Sequence, residues 1–127
     1  PLSRRLLNAG VWRDVQPGVA LTTEGEQVEN LHFLIEGMAG VYFDDSKLAE
    51  IREGFIGEMN VMQPGPASAT VRVEQPSRVF SISGEVLRRM CRADPEFRAF
   101  LDQHLNAAVK SKLIEANSKM TRKRADT

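Results

Sequence analysis

The spacing of apolar residues changes twice along the chain and divides it into three parts. At the front, Leu2, Leu6 and Leu7 stand at helical spacing in "PLSRRLLNAG" and the pattern stops at Gly10, so residues 1–10 read as a short helix ending in a glycine cap. From 11 to 82 the apolar runs become short and extended: "VWRDV", "VALTT", "LHFLIEG", "AGVYF", "KLAEI", "FIGEM", "SATVRVE" and "RVFSIS". Between them lie "PG", "EGE", "DDS", "REG", "PGP" and "QPS", and breaks of this kind around eight extended segments predict a β-sandwich or barrel. In "TVRVE" and "VFSI" the two-residue alternation gives each strand one apolar face.

Residues 83–117 return to helical spacing. Ser83 stands where an N-cap belongs, and Val86, Leu87, Met90 and Cys91 share one face of a short helix. Asp94 before Pro95 and Glu96 is a stronger start signal: the carboxylate can cap the first amides, and proline occupies a position whose N–H would be unbonded anyway. Phe97, Phe100, Leu101, Leu105, Ala108, Val109 and Leu113 then predict a long amphipathic helix to about Asn117. Residues 118–127, "SKMTRKRADT", lose the pattern and read as a basic flexible tail.

Length adds one constraint: 127 residues suit a single domain, here 1–117 without the tail. Lys plus Arg, at 17, equals Asp plus Glu, at 17, so no net field draws the chain to nucleic acid or anionic lipid. The basic clusters (Arg4 and Arg5; Arg88, Arg89 and Arg92; Lys119, Arg122, Lys123 and Arg124) read as solvated charge, and no nucleic-acid reading element follows the last helix. Cys91 is the one cysteine, which excludes an internal disulfide framework and fits a small buried residue in a reducing compartment. No apolar run reaches the roughly 18 residues that cross a bilayer. The first residue is Pro1 rather than methionine, so the expectation is a piece of a longer protein, with a membrane segment upstream as one context.

Catalytic chemistry finds little support. There is no Gly-x-Ser-x-Gly elbow and no Gly-x-Gly-x-x-Gly loop, and His32 and His104 come without a matching ligand set, so neither an enzyme nor a metal site is expected. A metal-dependent enzyme of the cupin type would need more histidines than these two.

The order of elements, a short helix, eight strands with glycine-punctuated turns, a short helix and a long one, resembles the cyclic-nucleotide-binding domain of catabolite activators, cAMP-dependent kinase regulatory subunits and nucleotide-gated channels. The residues resemble it too, over about 11–115. "VQPGVALTTEGEQVENLHFLIEGMAGVY" carries Pro17-Gly18 before a strand, Gly25-Glu26 in the next turn, Gly37 at a strand end and Gly40-Val41 after it. "FIGEMNVM" is similar to the lead of the family's phosphate cassette, with Ile56 in the aromatic slot and Gly57 and Glu58 in place. The resemblance implies a mainly β fold with flanking helices: an eight-stranded β-roll of the double-stranded β-helix or jelly-roll type. It implies a non-enzymatic sensor for cAMP or cGMP, signalling through its C-terminal helices in the cytoplasm.

It also implies a ligand-binding set of Gly57, Glu58, Met59, Ala67, Ser68, Ala69 and Thr70. Gly57 would let backbone approach the ligand, and Glu58 would accept the ribose hydroxyl proton or else merely cap its own turn. The family pattern continues with Pro-Arg, a small residue, Ala and Thr, where this chain reads Pro66-Ala67-Ser68-Ala69-Thr70. The arginine slot is Ala67. Losing a desolvated arginine–phosphate pair costs about 2 to 5 kcal/mol, roughly thirty-fold to several-thousand-fold in affinity, so weak or absent cyclic-nucleotide binding is expected. The Ser68 hydroxyl, the amides of Ala67, Ser68 and Ala69, and Arg72 on the next strand are the remaining candidates to hold a phosphate. The missing arginine also resembles the Popeye branch, although that branch's Asp-Ser-Pro-Glu stretch is absent here. A ligand-free protein-interaction scaffold on the same roll is the alternative, and the late turns of the long helix, with Leu105, Val109 and Leu113, are the expected seam of a homodimer.

Overall fold

The computed structural model describes residues 2–60 and 63–103. Helix α1 (Leu2–Ala9) leads into β1 (Val11–Val15), β2 (Ala20–Thr22), β3 (Asn30–Phe43), β4 (Ser46–Ile51) and β5 (Gly54–Ile56). A one-turn 3₁₀ helix (Glu58–Asn60), the long β6 (Thr70–Ser83) and α2 (Gly84–Ala93) follow, and a final helix, α3, is described over 95–103. The fold is mainly antiparallel β with flanking helices, in agreement with the β-roll. The rest of the long helix, its seam residues Leu105, Val109 and Leu113, His104 and the basic tail lie outside the described residues.

All eight extended segments are present, joined into six strands. β3 runs through Gly37 and β6 runs through Pro76, giving two strands of 14 residues each that pair along most of their length. Their register slips at Glu36, Met38 and Ala39, opposite Gln75 and Arg78, so the ladder bends at one corner instead of breaking. Ser77 holds that corner: its hydroxyl accepts the Met38 amide proton at 3.2 Å and donates to the Gln75 carbonyl at 2.7 Å. Gly37 packs against it with φ of +111°, and a Cβ there would overlap Ser77. Pro76, which has no N–H to give a ladder, sits in the same bulge. Turn residues that read as ends of strands are therefore bends within them.

The two halves of the β3–β6 ribbon take different neighbours. β1 joins β6 and β5 joins β3 at the helix end, while β2 joins β6 and β4 joins β3 at the other. At the helix end the helices cover the outer faces of β3 and β6, while β1 stays exposed up to Val15. Trp12, Phe80, Phe33 and Phe55 are register partners across β1, β6, β3 and β5, and the T-shaped pairs Trp12–Phe80 and Phe33–Phe55 have ring centroids 5.2 and 4.9 Å apart. Phe80 and Phe33 belong to a core with Leu31, Ile82, Leu87, Cys91, Phe97 and Leu101, which the helices close from outside. Inside the roll a second core gathers Val15, Leu34, Ala39, Ile56, Val71, Val73 and Val79.

The N-cap signals of α2 and α3 are where the sequence places them, whereas Gly10 follows α1 without the positive φ of a glycine cap and instead makes room for Phe80 and the Ser81 carbonyl. Ser83 accepts the Val86 amide proton at 3.3 Å, and Asp94 Oδ1 accepts those of Glu96 and Phe97 at 3.0 and 3.4 Å. Cys91 is buried, and burial pushes its thiol pKa up. Arg5 departs from the expectation of solvated charge: it pairs with Asp94 and lies over the Phe97 ring, 5.4 Å from its centroid, tying α1 to the α2–α3 junction. Among the described residues no helix is long and apolar enough to cross a membrane.

Candidate functional site

β5 ends at Ile56, and Gly57 turns the chain away from the sheet with φ of +87°. A Cβ on Gly57 would stand 3.0 Å from the Asn30 carbonyl oxygen and 3.1 Å from Val28 Cγ1, so both conformation and space call for glycine. The 3₁₀ turn of Glu58, Met59 and Asn60 follows, closed by the Asn60 amide on the Gly57 carbonyl at 3.2 Å.

The chain returns through Pro64-Gly65-Pro66 and is strapped to the turn at 24–28. Val28 N–H donates to the Gly65 carbonyl at 3.1 Å, Ala67 N–H to Glu26 at 2.8 Å, and Gly25 N–H to the Ala67 carbonyl at 2.9 Å. Thr22 locks the exit: its Oγ1 donates to the Ala69 carbonyl at 3.0 Å and accepts the Val71 amide proton at 3.2 Å. The expectation that the Ala67 amide would hold an anion is corrected here, because that proton is already bonded within the fold.

Between the 3₁₀ turn and this exit strand lies a cavity of about 200 Å³. Gly57, Glu58, Met59, Ala67, Ser68 and Ala69 all line it. Thr70 does not. Its hydroxyl accepts the Glu24 amide proton at 2.9 Å and faces a separate polar depression with Tyr42, Asp44, Asp45 and Arg72. Arg72 stands in that depression with its guanidinium 5.2 Å from the Tyr42 ring centroid, so it does not supply the missing cation either. The alternation of β6 decides this, since Val71 points into the cavity and the next residue points away.

Sequence reasoning missed the cavity's apolar floor, Val28, Val41, Ile51, Ile56 and Val71, together with Thr22 and Asn60. The alternating apolar positions of β3, β4 and β6 held a signal for Val41, Ile51 and Val71. Nothing local marked Thr22, whose role depends on a strand some fifty residues away (|i−j| of 47 and 49). Among the described lining residues Glu58 is the one ionisable side chain, and Ala67, 7% exposed, leaves space where a longer side chain would reach into the cavity. No grouping of His, Cys, Asp and Glu among the described residues could hold a metal ion.

A roll with a glycine-led turn opening onto such a cavity is matched by a sequence profile, the cyclic nucleotide-binding domain, over residues 12–94. The chain belongs to this family. It is 33% identical over 86 residues to a cGMP-dependent protein kinase of Eimeria tenella, covering 67% of this chain and 9% of that protein. It is 24% identical over 118 residues to a cAMP-dependent protein kinase type II regulatory subunit of Drosophila melanogaster, covering 91% and 31% respectively. A cyclic nucleotide-binding domain from Methylobacillus flagellatus has the same fold, with a TM-score of 0.86 at 20% identity over 96% of this chain and 72% of that one. The chain thus spans under a third of the kinase-related proteins it resembles. The family match extends to neither the Popeye branch nor a membrane context. Within this cyclic-nucleotide-binding domain, Gly57, Glu58 and Ala67 line one cavity.

Proposed function

We propose that this domain is a non-enzymatic sensor or regulatory module whose phosphate cassette is degenerate, holding cAMP or cGMP weakly or not at all. One observation carries the reading: Ala67 lines the cavity with a methyl group where the family pattern has an arginine, and no described lining residue is a cation. The names of the kinase and regulatory-subunit relatives support a cyclic nucleotide as the reference ligand, and a cytoplasmic location is part of the proposal. Helix α2 follows β6 directly and packs, with α3, on the outer face of the ribbon whose inner residues border the cavity. Any effect of occupancy on the helices would run along β3 and β6, which carry Val41 and Val71 at the cavity and Leu31, Phe80 and Ile82 under the helices.

The test is calorimetric titration with cAMP and cGMP, up to millimolar concentration, of wild type and Ala67→Arg. Wild type is expected to bind with a dissociation constant near millimolar or weaker, and Ala67→Arg to gain about thirty-fold or more. Tight wild-type binding, or no gain from the arginine, sinks the degenerate-cassette reading. In the second case the ligand-free scaffold becomes the better account.

A further inference from the structure

β2 meets β6 through Ala20 opposite Arg72 and Thr22 opposite Val71, so Leu21 is one residue more than β6 can match. This is a bulge, and it re-aims side chains. In a regular strand Leu21 and Thr22 would point to opposite faces, whereas here Leu21 packs against the inner core and Thr22 lines the cavity beside it. So placed, Thr22 is buried and reaches two segments of the cavity wall. Its Oγ1 bonds the Ala69 carbonyl at 3.0 Å and the Val71 amide at 3.2 Å, and its Cγ2 lies 3.9 Å from where a Cβ on Gly57 would stand.

The carbonyl of Ala69 needs a donor and the amide of Val71 an acceptor, and a single hydroxyl supplies both where a methyl group supplies neither. Without it, two backbone groups at the cavity wall lose their partner, and the cost falls on this segment. Ala67 is two residues before Ala69 and is strapped on its other side to the turn at 24–28, its amide to the Glu26 carbonyl and its carbonyl to the Gly25 amide. The course of the chain at Ala69 therefore sets the direction in which a side chain at position 67 enters the cavity. We propose, resting on the reading above that this cavity is the ligand site, that Thr22 is its positioning residue: the hydroxyl fixes the run from 67 to 71 and aims position 67 at a bound cyclic nucleotide. An arginine restored at position 67 then depends on Thr22 to reach the ligand.

The experiment has two arms on the full chain. In the first, amide hydrogen exchange is followed by NMR in wild type, Thr22→Val and Thr22→Ser. Thr22→Val is expected to speed exchange of the Ala67 and Gly25 amides, neither of which bonds to Thr22, about tenfold or more, while the Asp94 amide at the end of α2 keeps its rate. In the second, cAMP and cGMP are titrated against Ala67→Arg alone and combined with each change at Thr22. Thr22→Val is expected to lower the affinity of Ala67→Arg about tenfold or more, and Thr22→Ser to stay within about threefold in both arms. Unchanged exchange at Ala67 and Gly25, or equal acceleration at Asp94, overturns the proposal, as does failure of Thr22→Ser to preserve the readouts. Full affinity of Ala67→Arg with Thr22→Val overturns it too. Thr22→Ala stands in if Thr22→Val does not fold, and loss of folding in both overturns the proposal, because the hydroxyl then supports the whole fold. No gain from Ala67→Arg with Thr22 intact sinks the degenerate-cassette reading instead, and the exchange arm alone then decides on Thr22.

Discussion

Around Phe97 the sheet is backed by helices; around Val73 it is backed only by the opposite wall of the roll. The first region is built from phenylalanines together with Leu, Ile and Cys on α2, α3 and the outer faces of β3 and β6. The second is built almost wholly from Val, Ile, Leu and Ala on the inner faces of the same strands, and the cavity opens beside it. Large rings fill the outer core because a helix set on a sheet leaves deep, irregular gaps, whereas the roll's facing walls suit compact branched side chains. The outer core therefore anchors the structure, and the inner one keeps a space open.

The largest effect that sharpens this contrast is expected from Phe97→Ala. Phe97 is fully buried at the start of α3, and truncating it should cost about 3 to 5 kcal/mol in urea unfolding. Val73→Ala, equally buried inside the roll, removes two carbons and should cost about 2 kcal/mol. Similar losses at the two sites would erase the distinction between anchoring and space-keeping cores.

The next effect concerns His32, which pairs in register with Ile56 and Ser81 on the inner face and hydrogen-bonds Ser81 Oγ through Nδ1 at 2.7 Å. Burial, reinforced by the Arg13 charge and only partly offset by the Leu21 carbonyl, pulls its pKa down to about 4. Between pH 6.5 and 4 the unfolded chain binds a proton that the folded one does not, so stability rises with pH through that window and is level above it for this group. The gain is about 3 kcal/mol across the window. Unfolding measured from pH 4 to 7.5 should lose much of that slope in His32→Gln.

Gly57→Ala comes third. Its positive φ and the 3.0 Å approach to the Asn30 carbonyl should cost about 1 to 3 kcal/mol, read as a lowered thermal midpoint. Gly65→Ala, with no contact closer than 3.4 Å, should be milder. Equal losses would show that the turn after β5 does not depend on a glycine at position 57.

The smallest effect is Arg5→Ala. The ion pair with Asp94 and the stacking on Phe97 are half exposed, so their loss should cost under about 1 kcal/mol and shrink further at high salt. A larger loss would mean that α1 contributes to the outer core well beyond this contact.

Much of the fold was legible because its signals are local. A cap such as Asp94-Pro95 acts on amides two and three residues away, and Gly57 answers a conformational demand at its own position. Those features, the eight extended segments and the family resemblance were set by the sequence itself, and so was the alanine at position 67. Only tertiary structure decided that Gly37 and Pro76 bend strands instead of ending them, because both belong to one bulge that exists only once β3 and β6 have paired. It also decided that Thr70 and Arg72 turn away from the cavity and that the Ala67 amide is spent on Glu26, far earlier in the chain. Pairings over that distance depend on which strand settles beside which, and neither residue type nor spacing in one segment encodes its neighbour across the sheet.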